Sequence, residues 1–179
     1  SAAGPVLILA AHLDTVFPEG TEVRVKRNGS LLSAPGIGDD SRGLGVILAV
    51  ARALNEAQIE TAGTIVFVAN VGEEGLGDLR GVRHLFNGEF KGRATHFISV
   101  DGTGLSITNV AVGVVRYRVT MHGPGGHSYG AFGLPSPIHA LGRAIEKIAR
   151  FQVPRSPKTT FNVGTIEGGT SVNSIAHTA

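Results

Sequence analysis

The chain has 179 residues, no cysteine and a formal net charge of +2, and 42% of its residues are hydrophobic. This composition supports a hydrophobic core in one or two domains and excludes disulfides and thiolate metal sites. There is no basic block, and no apolar run approaches the roughly 18 residues of a membrane-spanning helix, so we expect no nucleic-acid or membrane partner. The N-terminal sequence SAAGP shows no signal-peptide pattern, and we therefore expect a cytoplasmic protein.

The first 108 residues alternate buried strands with helices. Continuous apolar runs predict the strands, the Asn28-Gly29 turn between two arms predicts a hairpin, and Ser41 is the expected N-cap of the first long helix. We predict strands at 6–11, 64–71 and 95–100, a hairpin at 21–32, and helices at 44–57 and 78–86. This order is typical of an α/β fold with a mainly parallel sheet flanked by helices.

The remaining residues have a different pattern. Residues 110–121 alternate at their end and predict a long strand, and the segment TFNVGTIEGG predicts another. Ser136 followed by Pro137 is typical of a helix N-cap and first helical position. We place a domain boundary near Thr108–Asn109 and expect two domains, 1–108 and a smaller α+β domain at 109–179.

Polar residues follow the buried strands of the first domain. His12 and Asp14 follow the first strand, Glu73-Glu74 the second and Asp101 the third, and Asp39-Asp40 precede the first long helix. The carboxyl ends of parallel strands share one sheet edge, where unpaired carboxylates would repel one another unless a cation were bound. Each residue alone could be a turn or capping residue, but together they predict a site for Zn, Mn or Co. A phosphate-binding loop at GIGDDSRGLG is excluded by its negative charge and spacing.

Five motifs resemble one enzyme family: HLDTV, PGIGDDSRG, GEEGLGDLRG, SVDG and HGPGGHS. They are similar, in order and spacing, to the co-catalytic zinc metallopeptidases that include peptidase T, carnosinase-like dipeptidases, aminoacylase, acetylornithine deacetylase and succinyl-diaminopimelate desuccinylase. The resemblance is nearest to peptidase T-like members. It implies a catalytic domain with two divalent metal ions, zinc with cobalt or manganese as alternatives, and an inserted lid domain that forms a homodimer.

The resemblance also implies a set of metal ligands. His12 and Asp101 resemble the ligands of one metal, and Glu74 resembles a ligand of the second. Asp40 resembles the aspartate that bridges both metals, with Asp39 as its neighbour and not the bridge.

Catalytic and substrate-binding roles follow in the same way. Glu73 resembles the general base, and Asp14 resembles the carboxylate that orients the first imidazole. His127 matches the lid histidine that reaches the partner subunit's site and stabilises the oxyanion. Asn173 matches a substrate-binding asparagine, although the proline usual after this motif is Ala176 here.

The implied reaction is cleavage of an amide bond in a small peptide, since aspartate at position 101 is typical of the family's aminopeptidases and dipeptidases. An N-acyl amino acid deacylase and a non-catalytic dimerising homologue remain alternatives. The family's second-metal histidine has no match here, because His177 belongs to the lid sequence. We therefore expect these residues to be part of a longer enzyme and, taken alone, to hold at most one metal tightly and to hydrolyse peptides poorly. Four further histidines are expected at the surface or in packing: His84, His96, His122 and His139.

Overall fold

The computed structural model describes residues 4–179. Ser1–Ala3 lie outside the described residues. The expectation drawn from the N-terminal sequence SAAGP therefore falls partly outside them. The chain divides into two compact units, Ser1–Asn109 and Val110–Ala179. Among residues 4–179, no helix combines the length and the apolar character needed to cross a bilayer.

The first unit is a mixed α/β structure built on a parallel sheet. Its elements in chain order are β1 (Val6–His12), β2 (Lys26–Asn28), β3 (Leu31–Ser33), α1 (Arg42–Glu56), β4 (Thr64–Asn70), α2 (Arg80–Asn87) and β5 (His96–Ser99). The sheet has the order β4-β1-β5, and both neighbours run parallel to β1. The predictions of three strands in a parallel sheet and of two helices are confirmed, but only β1 is largely buried, and every residue of β5 is exposed.

The central strand β1 is apolar on both faces because successive side chains point to opposite sides of a sheet. Ile8 and Ala10 pack with Phe90 on one face. Leu9 and Ala11 pack with Ile47 of α1 on the other face. A strand covered on both sides is fixed along its length, and this fixes the position of its last residue, His12.

The connection from β1 to α1 contains the predicted hairpin in a shorter form. β2 and β3 pair antiparallel, and Asn28 lies opposite Leu31 across the turn. Ser41 precedes α1 as expected, but its side chain makes no capping hydrogen bond. Instead, Oδ1 of Asp40 accepts a 3.0 Å hydrogen bond from the amide of Gly43. The capping function therefore lies one residue earlier than predicted.

The second unit contains β6 (Gly126–His127), α3 (Pro137–Ala149) and β7 (Ser174–Ile175). The prediction for the start of α3 is confirmed, since the Ser136 side chain accepts a hydrogen bond from the amide of His139. β6 and β7 form a short antiparallel pair.

Two strands predicted for the second unit are absent from its described residues. Neither 110–121 nor 160–169 is part of a strand in the structure. Each segment has a backbone partner at its end: Met121 and Ala179 exchange two hydrogen bonds of 2.8 and 3.1 Å, and the amide of Gly169 donates to the carbonyl of Thr178 at 3.2 Å. An alternating sequence indicates that a segment can form a strand, but a strand also requires a neighbour to bond with.

Candidate metal centre

Five side chains come together at the carboxyl end of the parallel sheet. We call His12, Asp39, Glu73, Glu74 and Asp101 the His12 cluster. Ligand atoms of His12, Asp39 and Asp101 lie within 4.8 Å of one another, and so do those of His12, Glu73 and Glu74. The gathering follows from topology, because the three parallel strands end at this edge and the turn before α1 lies beside it.

The His12 imidazole is buried and oriented. Its Nδ1 lies 2.8 Å from the backbone carbonyl oxygen of Asp14. A carbonyl only accepts, so Nδ1 is the donor, and Nε2 is the nitrogen that faces the carboxylates. Nε2 lies 2.9 Å from Oδ1 of Asp39 and 4.0 Å from Oδ2 of Asp101. A lone pair facing carboxylate oxygens is favourable only if a proton or a cation lies between them.

The charges around His12 favour a positive charge at this position. Burial by itself lowers the pKa of His12, but the hydrogen bond to the Asp14 carbonyl and the carboxylates of Asp40 and Asp101 raise that pKa above its usual value. Partial burial raises the pKa of Glu74, and repulsion by Asp39 and Glu73 adds to this increase. The charge contribution to both shifts comes from the neighbouring carboxylates, whose negative charge a divalent cation would neutralise.

Of the two adjacent aspartates, Asp39 belongs to the cluster. The Asp40 side chain is almost fully buried, and its two oxygens accept hydrogen bonds from the backbone amides of His12 and Gly43 at 3.0 Å each. The sequence prediction gave Asp40 the place among the metal ligands. The structure instead places the exposed Asp39 carboxylate against the His12 ring, while Asp40 joins the end of β1 to the start of α1.

The carboxylate of Asp14 also differs from its predicted place. It was expected to bond to the His12 imidazole, but its Oδ1 lies 3.8 Å from Nδ1, beyond hydrogen-bond distance. The backbone carbonyl of Asp14 orients the ring instead. The carboxylate accepts hydrogen bonds from the consecutive amides of Gly72, Glu73 and Glu74. Although burial raises the pKa of Asp14, these amides outweigh it and hold that pKa below its usual value.

The two glutamates lie on a tight turn that the glycines of GEEGLGDLRG make possible. Gly72 has a φ of +80°, and a Cβ added at Gly77 would lie 2.4 Å from the Gly72 Cα. The turn closes through a 2.8 Å hydrogen bond from the amide of Leu79 to the carbonyl of Gly72. Side chains at either glycine would force the turn open, so the motif spacing reflects backbone packing as well as chemistry.

Arg42 holds the loop that follows Asp101, and sequence reasoning did not assign it a role. Its guanidinium donates to the backbone carbonyls of Gly102 and Gly104. A positive residue at the first position of a helix opposes the helix dipole, so an arginine there indicates a specific partner. The unfavourable position of this charge is the feature of the sequence that could have predicted a structural role for Arg42.

The second unit brings His127 and Asn173 into neighbouring segments. His127 lies opposite Ser174 in the β6–β7 pair, and the amide of Ser128 donates to the backbone carbonyl of Asn173 at 2.9 Å. The side chains of His127 and Asn173 are both exposed. His177 packs its ring against Gly125, where an added Cβ would lie 2.2 Å from the imidazole. Four other histidines are exposed: His84, His96, His122 and His139.

Two solved structures share the fold of the chain. A tripeptidase from Staphylococcus aureus matches with a TM-score of 0.60 and 23% sequence identity, covering 98% of this chain and 47% of its own. Aminopeptidase PepT from Bacillus cereus matches with a TM-score of 0.56 and 23% identity, covering 99% of this chain and 48% of its own.

Two curated proteins are similar in sequence. YqjE of Bacillus subtilis (strain 168), an uncharacterized protein, is 29% identical over 175 residues, which are 93% of this chain and 45% of YqjE. Carboxypeptidase G2 of Pseudomonas sp. (strain RS-16) is 30% identical over 152 residues, which are 82% of this chain and 35% of that enzyme. The chain thus spans less than half the length of these relatives.

The family model is matched by nearly the whole chain, over residues 8–178. This range includes the His12 cluster and the His127 and Asn173 segments, and the match confirms the resemblance seen in the five motifs. The chain belongs to the Peptidase family M20/M25/M40.

Proposed function

We propose that this chain carries the metal-binding part of a dinuclear metal-dependent hydrolase that cleaves the amide bond of a small peptide. The observation that carries the proposal is the His12 imidazole. Its Nδ1 is fixed by a backbone carbonyl, and its Nε2 faces the Asp39 and Asp101 carboxylates. Such a ring presents one unshared electron pair to a group of anionic oxygens, which is the donor set of a carboxylate–histidine metal site.

The residues present fit one divalent cation and supply part of the site for a second. His12, Asp39 and Asp101 would hold the first, and Asp39 and Glu74 would contribute to the second, whose histidine ligand has no match in these residues. A ligand set of imidazole and carboxylate groups without sulfur suits zinc, with cobalt and manganese as alternatives. Divalent ions in such a site polarise the scissile carbonyl and make water acidic enough to ionise near neutral pH.

The remaining residues would handle protons and substrate. Glu73 lies beside Glu74 on the same turn, so the two can divide the work between proton transfer and metal binding. We assign the role of general base to Glu73: its carboxylate would take a proton from the attacking water and pass it to the leaving amine. His127 would stabilise the oxyanion from the partner subunit of a homodimer formed through Val110–Ala179, and Asn173 would contact the substrate.

A peptide is the preferred substrate class for two reasons. The carboxylate at position 101 is an aspartate, which is typical of the family's aminopeptidases and dipeptidases. The two solved structures with this fold carry the names tripeptidase and aminopeptidase. An N-acyl amino acid deacylase uses the same machinery and is the alternative that the experiment must distinguish.

The test combines a substrate panel with one variant of the intact protein. Zinc content and turnover are measured with di- and tripeptides and with N-acetyl amino acids. We expect peptide cleavage, and we expect Glu73→Gln to keep its zinc while kcat falls by roughly 10²–10⁴-fold. Glu19→Gln, at an exposed position, is the matched control.

Three results would contradict parts of the proposal. Faster turnover of N-acetyl amino acids would assign the deacylase reaction. Loss of zinc from Glu73→Gln, as expected for Glu74→Gln, would reverse the roles of the two glutamates. A folded protein that neither binds zinc nor cleaves either substrate class would be the non-catalytic homologue.

A further inference from the structure

The carboxylate of Asp14 continues the attachment between β1 and β4 beyond the ends of both strands. The ladder ends where His12 lies opposite Asn70, and the amide of Leu13 still donates to the carbonyl of Asn70 at 2.8 Å. After that point the chain of β4 turns away. The Asp14 side chain then replaces the neighbouring strand as the hydrogen-bond acceptor.

Three consecutive amides converge on this one carboxylate. Oδ1 accepts from Gly72 at 2.8 Å and from Glu73 at 3.3 Å, and Oδ2 accepts from Glu74 at 3.0 Å. Hydrogen bonds to a charged acceptor are stronger than those between neutral groups. The backbone of both glutamates is therefore held by a residue that follows the strand carrying His12.

The imidazole does not compete for this carboxylate. The ring nitrogen Nδ1 bonds to the backbone carbonyl of Asp14 at 2.8 Å, and Oδ1 lies 3.8 Å from Nδ1. Replacing the Asp14 side chain leaves that carbonyl in place. The hydrogen bonds that the replacement weakens or removes are those to the Glu73–Glu74 turn.

We propose that Asp14 is a positioning residue for the Glu73–Glu74 turn, and that it sets the placement of the two glutamates relative to His12. The positioning of the turn by Asp14 rests only on the three hydrogen bonds described above. Its consequence for metal binding rests on the proposed function, because that function assigns Glu74 to the second metal. The two parts are tested separately.

The first test measures amide hydrogen exchange in the intact protein without added metal. We expect the amides of residues 72–74 to be protected although Glu73 is exposed, in contrast to the exposed hairpin turn at Gly29. In Asp14→Asn one acceptor oxygen is lost, so exchange of at least one of the three amides should increase on the order of tenfold. The control Asp78→Asn removes an exposed carboxylate that pairs with Arg83 on the same loop. Unprotected amides in the unaltered protein would overturn the proposal without reference to any variant.

The second test measures zinc affinity by calorimetry in a double-mutant cycle. Asp14→Asn should weaken zinc binding by roughly 10–100-fold, the range for residues that support a ligand. The same loss should appear in an Asp101→Asn background and largely disappear in a Glu74→Gln background, because the turn then no longer carries that ligand. An equal loss in both backgrounds would show that Asp14 acts elsewhere, and would overturn the proposal. A protein that binds no zinc would refute the proposed function, while the exchange measurement would still test whether Asp14 positions the Glu73–Glu74 turn.

Discussion

At the scale of single residues, two adjacent aspartates have opposite surroundings. The Asp39 side chain is 64% exposed and faces the His12 ring. Asp40 is 1% exposed, and its oxygens accept the backbone amides of His12 and Gly43. Burial raises the pKa of Asp40, and the two amide hydrogen bonds work against that increase. One carboxylate is therefore available to a cation, and the other is used within the fold.

This difference predicts a clean separation between two substitutions. Asp40→Asn should lower the free energy of unfolding by about 1–3 kcal/mol, since an amide nitrogen would replace one buried acceptor. Asp39→Asn should change it by less than about 0.5 kcal/mol, as for other exposed positions, while losing most of the zinc affinity. Urea unfolding without metal and zinc calorimetry measure the two effects. If Asp40→Asn lost zinc binding while keeping its stability, Asp40 would be the ligand.

At the scale of elements, the start of α1 is shaped by close approach of the backbone. A Cβ added at Gly43 would lie 2.1 Å from Oδ1 of Asp40 and 2.4 Å from the carbonyl of Val100. At Gly45, one half-turn further along the same helix, an added Cβ would meet nothing within 4 Å. The first glycine lets α1 approach the end of the sheet, and the second makes no comparable contact.

The two glycines should therefore respond to alanine in opposite directions. Gly43→Ala should destabilise the protein by roughly 1–3 kcal/mol, because Asp40 or the loop at Val100 must move. Gly45→Ala should stabilise it by roughly 0.5–1 kcal/mol, since alanine loses less conformational freedom in a helix. Urea unfolding of the two variants provides the comparison. Equal destabilisation by both substitutions would mean that the packing around Gly43 is not the cause.

At the scale of the whole molecule, the residues expected to act together are divided between two units. The His12 cluster lies in Ser1–Asn109, whereas His127 and Asn173 lie in Val110–Ala179. The family resemblance implies that His127 serves the site of a partner subunit. The exposure of the His127 side chain is compatible with such a role.

This arrangement predicts complementation between two inactive variants of the intact enzyme. Subunits with His127→Ala and subunits with Glu73→Gln should each lose most of their activity. Mixed dimers should recover a fraction of it, because one of their two sites combines an intact Glu73 with an intact His127. Peptide hydrolysis by co-expressed, separately tagged subunits measures the recovery. Heterodimers that form without any recovery would place His127 in its own subunit's site or outside catalysis.

Sequence alone determined the three strands of the parallel sheet, the helices and the edge at which the candidate site forms. The apolar runs of β1 and β4 and the periodicity of α1 are local features, and parallel pairing then places the ends of β1, β4 and β5 at one edge. This was sufficient to collect His12, Glu73, Glu74 and Asp101 into one cluster.

Tertiary structure decided which atoms face one another within that edge. In the irregular turn at Ile37–Ser41 the direction of each side chain depends on its own φ and ψ, so periodicity could not distinguish Asp39 from Asp40. The partners of the Asp14 carboxylate are 58 to 60 residues away, and Arg42 reaches carbonyls 60 and 62 residues away. Residues 110–121 alternate like a strand but form none, because hydrogen-bond partners in a sheet are non-local and sequence patterns are local.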